Sequence, residues 1–446
     1  MVEKERVKTL NNHKSNTAGN FVLYFVQASP RIKYNQALIY AINRANYFNV
    51  PLVCYFELST NFPYINKRNF TFLLQGINDF KRNAEKLGIK LIVNTNSNLL
   101  KISEKAVEVI TDRGYLLFHK NRDKDYSQKM KIPYIQIETN VIVPIEQVSN
   151  KQEYGAYTIR PKIQKHLHKY LTFYNIPKLK IPNLDLKFES IETTNITKLI
   201  YDLKIDNSVT PTQFIGGETQ ALKYLDYFVK THLSSYEQNR NNANLNATSN
   251  LSPYLHFGHI SPVLIAVTCL KHLGENNENI KSFFNELIIW RELARNYCYY
   301  NQNYNKDEGL PNWTIQNFKK TINDKREFLY SLSQFENAKT HDQLWNSAQV
   351  ELVKTGKIHG VMRMYWGKKV IEWSKNPKYA HKVLIHLNDK YSIDGRDENG
   401  YAGINWCFGL HDKPFFRRNI FGIVRYMAES GIKKKFNTNE YIKKFS

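Results

Sequence analysis

With 446 residues, 42% of them hydrophobic and 13% aromatic, the chain has apolar surface enough for two or three packed domains, which excludes a disordered protein. Lys and Arg number 63 against 40 Asp and Glu; the net charge of +23 favours a polyanionic partner, although a plain Lys/Asn composition bias gives the same excess. The four cysteines, Cys54, Cys269, Cys298 and Cys407, lack zinc spacing and read as reduced core thiols, and no apolar run reaches the roughly 18–20 residues of a membrane span, so a soluble intracellular protein, cytoplasmic or nuclear, is expected.

Residues 1–20 lack the apolar core of a signal peptide and read as a flexible basic arm. From 21 to 145, short β-branched or aromatic runs at Phe21–Val26, Pro51–Phe56, Ile89–Val93, Tyr115–Phe118 and Tyr134–Ile137 alternate with helical patterns near Tyr34–Phe48, Phe70–Leu87 and Leu100–Ile110. Such alternation predicts an α/β domain with a doubly wound parallel sheet. Gln27-Ala-Ser-Pro-Arg31 stands where a Gly-x-Gly-x-x-Gly would follow the first strand, so a dinucleotide clasp of the Rossmann kind is not expected there. Residues 146–210, with scattered prolines and many charges, read as an interdomain linker. From 211 to 446 helical runs follow at Gly217–Leu233, Ser261–His272, Ile280–Tyr300, Lys325–Phe335, His341–Thr355 and Gly360–Ser374, which predicts a large all-helical domain.

Several segments carry side chains suited to chemistry. Thr248-Ser249-Asn250-Leu251-Ser252 precedes a helix start at Ser261-Pro262; hydroxyls and free N–H groups there suit a phosphate cradle or plain capping. On the Ile280–Tyr300 run, Glu286, Trp290, Leu293 and Tyr297 share one face. A buried Glu286 would have a raised pKa, whereas at the stripe's edge it would reach water. Arg291 and Arg295 lie beside this face. On the next run His359, Arg363, Trp366, Val370 and Trp373 form another stripe, its two indoles roughly 10–11 Å apart along the axis. That spacing suits an ordinary core and a chain of redox-active aromatics alike. Asp394, in a turn that lacks the ligand pattern of a calcium loop, is the economical counterion for Arg363, and no metal site is expected. Aromatics interleaved with Arg417, Arg418 and Arg425 in 401–427 suit either base stacking with phosphate neutralisation or a closing helix with its rings turned inward.

In chain order, TSNLSPYLHFGHIS, ELIIWRELARNYCYYN, HGVMRMYWGKKVIEW, LNDKYSIDGRDENGYAGINW and GLHDKPFFRRNIFGIVRYM resemble the class II cyclobutane pyrimidine dimer photolyases. The resemblance implies an antenna-type α/β domain and a helical domain that binds FAD and DNA. The FAD would serve as the reduced anion, passing an electron under light to a flipped-out pyrimidine dimer and recovering it after the ring splits. By the same likeness Tyr236, Arg240 and Thr248–Ser252 would hold the flavin diphosphate. Arg291 and the Arg363–Asp394 pair would flank the flavin, and Asn388 would face its reactive nitrogen. Glu286 would bond the dimer, with Trp290, Tyr330, Met364 and Trp406 packed around it. Trp366, then Trp345, then Trp373 toward solvent would feed electrons to the flavin. A deazaflavin or other antenna chromophore is expected by family alone, and the protein is expected to act as a monomer on dimer-containing DNA. A (6-4) photolyase, which needs an active-site histidine such as His359 or His411, and a cryptochrome-like photoreceptor are the alternatives.

Overall fold

The computed structural model describes residues 2–95, 98–183 and 185–446. The chain forms two compact units, one of residues 1–150, 162–229 and 250–275, the other of 151–161, 230–249 and 276–446. The boundaries expected at 145 and 210 therefore do not match the packing: 211–229 and 250–275 belong with the sheet, and 151–161 with the helices.

The first unit is built on a six-stranded sheet in the order β1-β6-β5-β2-β3-β4. Its strands are β1 Val7–Thr9, β2 Phe21–Val26, β3 Leu52–Glu57, β4 Lys90–Asn94, β5 Ala106–Asp112 and β6 Tyr134–Ile137. Strands β2 to β6 run parallel, and helices such as Gln36–Phe48 and Lys67–Glu85 bury their apolar faces against them. Phe21–Val26 is buried at every position, the near-continuous apolar run that a strand covered on both faces requires.

Two expectations about this unit fail for physical reasons. The amino-terminal arm is not flexible: β1 pairs antiparallel with β6, anchored by Arg6, which is 2% exposed. Its guanidinium donates to the carbonyls of Glu138, Val141 and Ile142 at 3.2, 3.2 and 2.6 Å. The strand expected at Tyr115–Phe118 is instead β5, which takes part of the stretch read as a helix over Leu100–Ile110; the helix there is only Leu99–Ser103. Glu108 disguised β5 by interrupting its apolar run. Arg44 of the Gln36–Phe48 helix resolves that buried charge, binding both carboxylate oxygens at 2.6 and 2.8 Å.

Doubly wound sheets take ligands where the strand order reverses, here at the carboxyl ends of β2 and β5. At those ends the chain's own polar groups bond one another. Asp112 accepts from the Gln27 and Ala28 amides at 2.8 and 2.9 Å, and Gln27 Nε2 donates to Asp123 and Thr111 at 2.7 and 2.8 Å. The stretch read as a linker contains the helices Ala156–Tyr170, with Pro161 inside it, and Ile196–Asp202.

The second unit is helical. Gln343–Thr355, Gly360–Trp373, Pro377–Tyr391 and Glu398–Cys407 surround a core that includes Trp345, Trp366, Trp373, Leu384 and Leu387. Only Leu332–Glu336 of the run expected at Lys325–Phe335 is helical. Residues 408–427 form no helix, so the inward-packed closing helix is absent; Phe416 is 95% exposed beside exposed Arg417 and Arg418. Among the described residues no helix is long and apolar enough to cross a membrane.

Candidate active site

The helix carrying Glu286 and Trp290 is not one continuous α-helix. Glu278–Phe284 passes into a π-helical stretch, Asn285–Trp290, before Arg291–Tyr300 resumes the α form. Such wide turns break the regular ladder and are frequent at functional sites. This one places Glu286 and Trp290 in the wall of a cavity of about 370 Å³ that is also lined by Tyr236, Arg240, Thr248, His359, Met364, Lys368, Trp406, Arg425 and Lys435.

Within the cavity wall Trp290 and Trp406 stack with centroids 4.4 Å apart, and Trp406 Nε1 donates to Asp412 at 3.0 Å. Glu286 lies at the edge of its stripe and reaches water. Its side chain is 38% exposed, and its carboxylate accepts from Arg240 Nη2 at 2.6 Å and Asn285 Nδ2 at 3.3 Å. Arg240, expected at the flavin diphosphate, binds this acid and also donates to Ser282 Oγ at 3.1 Å. Lys368 was not among the residues expected here. It is 1% exposed, donates to the Cys407 carbonyl at 2.6 Å, and is pushed by burial down to about 8. It stands one turn beyond Met364 and two beyond Gly360, on a different face of the helix from the tryptophan stripe.

That stripe leads away from the cavity into the core. Trp366 Nε1 donates to Gln349 Oε1 and Trp345 Nε1 to the Trp366 carbonyl, both at 2.9 Å, and the rings of Trp345 and Trp373 lie 6.1 Å apart. Trp373, expected toward solvent, is 3% exposed. Tyr330 and His341 lie outside it, with ring centroids 5.9 and 4.8 Å from the indole, and His341 is exposed. Tyr330 therefore belongs to this end of the aromatic row and not to the cavity where it was expected: its amide donates to the Trp373 carbonyl at 3.0 Å and its hydroxyl pairs with His341 Nδ1 at 2.8 Å.

Arg363 and Asp394 lie 3.6 Å apart, and Arg363 also donates to Asn388 Oδ1 at 3.1 Å, while Asn388 Nδ2 donates to Asp389 at 2.9 Å. The Asn388 amide is thus oriented at both ends. Arg291 is buried beside Arg295, and both are drawn toward the Asp397–Glu398 start of the next helix, with Arg295 3.5 Å from Glu398. Of the Thr248–Ser252 run, Thr248 lines the cavity; Ser249 also belongs to the helical unit, whereas Asn250, Leu251 and Ser252 fall in the sheet unit. Asn250 has a left-handed φ of 54°, and Ser252 opens the short helix Ser252–His256.

Paired indoles in a cavity rimmed with cations suit an enzyme that takes a flat, partly apolar group from an anionic polymer. Comparison with known proteins narrows this class. The DNA photolyase family matches residues 22–183. A deoxyribodipyrimidine photo-lyase of Methanothermobacter thermautotrophicus is 41% identical over 445 residues, covering 99% of this chain and 98% of its own. One from Potorous tridactylus is 36% identical, covering 99% and 85%. Among solved structures, a class III photolyase from Agrobacterium tumefaciens shares the fold with a TM-score of 0.72 at 18% identity, over 96% of this chain and 86% of that one. A Synechocystis cryptochrome does so at 0.73 and 16%, over 95% and 88%. The chain belongs to the DNA photolyase family, and it is an enzyme of the photo-lyase kind.

Proposed function

We propose that this enzyme repairs cyclobutane pyrimidine dimers in DNA by light-driven electron transfer, with the dimer turned into the cavity and FAD bound in the helical unit. The observation that carries the reading is the convergence of Glu286, Trp290, Met364 and Trp406, from three separate helical segments, on one cavity. The full-length relatives named as deoxyribodipyrimidine photo-lyases support the substrate.

The residues present fit a flavin nucleotide. Thr248, Arg240, Lys368, Arg425 and Lys435 offer a hydroxyl and positive charge. Asp394 Oδ1 and His359 Nε2 are buried without hydrogen-bond partners, the condition in which a bound polar group repays most. Thr248, Arg363 and Asp394 would hold FAD, with Asn388 oriented beside them. When bound and reduced, FAD supplies an electron donor driven by light.

The chain's own residues do the rest. Trp290 and Trp406 pack against the extruded bases, and Met364 closes the side. Glu286, held by Arg240, bonds the dimer's polar edge and steadies negative charge arising there. Trp366, Trp345 and Trp373 pass electrons inward to restore the reduced cofactor. Exposed Phe416, Arg417 and Arg418 meet the DNA outside the cavity. Burial pushes His359 and His411 down to about 4, which favours the neutral imidazole over the charged acid that (6-4) chemistry relies on.

Replacing Glu286 with Ala removes a charge-assisted hydrogen bond of about 1.5–3 kcal/mol. Dimer splitting per absorbed photon, followed by chromatography, is expected to fall several-fold while binding to dimer-containing DNA persists; an unchanged yield would remove the residue's role.

A further inference from the structure

The two inner indoles of the aromatic row both set their N–H groups on oxygen acceptors of the chain. Trp366 donates to the Gln349 side chain and Trp345 to the Trp366 main chain, each at 2.9 Å. Both acceptors are amide oxygens: neutral, and far too weakly basic to remove a proton from an oxidised indole. The Gln349 amide is locked in this sense. Its Oε1 faces an N–H that can only donate, its Nε2 donates to the Glu336 carbonyl at 3.3 Å, and the residue is fully buried. Turning it over would set donor against donor and acceptor against acceptor. Around Trp373 the surroundings change: the ring lies 5.5 Å from the Lys369 ammonium and 4.8 Å from the exposed imidazole of His341.

We infer that Gln349 is a positioning residue of the electron row, fixing the Trp366 indole while withholding a base from it, so that electrons cross Trp366 and Trp345 with the protons left in place. The inference rests on the proposed role of the row in reducing the flavin. The oxidant is a light-excited oxidised flavin. One electron leaves Trp366, one moves from Trp345 to Trp366, and one from Trp373 to Trp345. Each inner indole keeps its N–H throughout. A proton is released only from the last oxidised aromatic, to water or His341. A carboxylate at 349 would break this order: the Trp366 N–H bond would open, an O–H bond would form on the new side chain, and the neutral indolyl radical left behind could be refilled only by returning that proton.

The test is time-resolved absorption of indole radicals in the full-length, flavin-loaded protein, with wild type compared with Gln349→Glu and Gln349→Met. Measurements are made in H₂O and D₂O, at neutral pH and at about pH 9.5, above the range known for buried carboxyls. The charged groups near the site (Asp342 and Glu351 on the Gln349 helix, Glu336 with His386 and Lys390, Lys369 with Glu372) are common to all three proteins, so only the new carboxyl sets the variant's pH profile. Wild type is expected to move the radical past Trp345 at equal rates in H₂O and D₂O and at both pH values. Gln349→Glu at high pH is expected to show neutral radical at the first step and a several-fold loss of long-lived charge separation. Gln349→Met, lacking any base, should keep the cation spectrum. A solvent isotope effect on the first two transfers in wild type would overturn the inference, as would a flavin-loaded Gln349→Glu protein indistinguishable from wild type at high pH. If neither variant folds, the isotope comparison on wild type decides. Absence of any indole radical in illuminated wild type would overturn the electron row itself, and this inference with it.

Discussion

Trp406 makes two kinds of contact at the cavity wall, a stack on Trp290 at 4.4 Å and a 3.0 Å hydrogen bond to Asp412. Base stacking on such a ring contributes about 1–3 kcal/mol. Trp406→Ala is therefore expected to weaken binding of dimer-containing DNA roughly five- to hundred-fold, read by fluorescence anisotropy, with little change for undamaged duplex. Equal weakening for both would place the ring outside the lesion pocket. Glu286, Trp290, Met364 and Trp406 were legible in the sequence because the matching motifs name those positions, and the structure brings them to one cavity. Lys368 and Gln349 were not. A single polar residue inside a buried helix has no periodic signature, and its role shows only when its partner, the Cys407 carbonyl or the Trp366 indole, arrives from another part of the chain. Tyr330 was misplaced for the same reason, since nothing local distinguishes an aromatic beside Trp373 from one beside a substrate.

Elements in this fold are joined at a few close approaches. In the sheet unit the Lys67–Glu85 helix meets the loop after Gly258 at Gly76, where any side chain would overlap the imidazole of His259. His259 is fully buried and accepts from the Gly217 amide at 3.1 Å, so it must be neutral, and burial pushes it from the ordinary 6.5 down to about 3. Between those values the unfolded chain binds a proton that the folded chain refuses, so stability is lost as pH falls from 6.5 toward 3. His259→Gln removes that term. The stability advantage of wild type over the variant, measured by urea unfolding, is expected to shrink between pH 7 and 5; a constant difference would show that His259 binds its proton as readily in the fold as in the unfolded chain. Secondary structure was least legible where tertiary contacts overrode local pattern. Glu108 hid β5 until Arg44 paired with it, and a periodicity argument had no means of foreseeing the π-helical turn that carries Glu286.

At the scale of the whole molecule, the net charge of +23 includes the exposed Lys413, Arg417 and Arg418 beside Phe416, outside the cavity. Each phosphate neutralised lowers log K by about 0.7–0.9 per decade of salt. Engagement of three phosphates therefore predicts a slope of about −2 to −3 for dimer-containing DNA, and a flat salt response would reduce the basic excess to a composition bias. The two-part architecture was legible from the change in periodicity near residue 211, but the interleaving of segments 151–161, 230–249 and 250–275 was not, because chain order does not record which unit a connecting segment packs into. The central claim is that a dimer held in this cavity is split by light. Its most direct measurement is dimer content in an oligonucleotide bound to flavin-loaded protein, followed with and without blue light. Splitting under illumination and none in the dark is the predicted result; intact dimers under illumination, with flavin absorption and DNA binding both present, would contradict it.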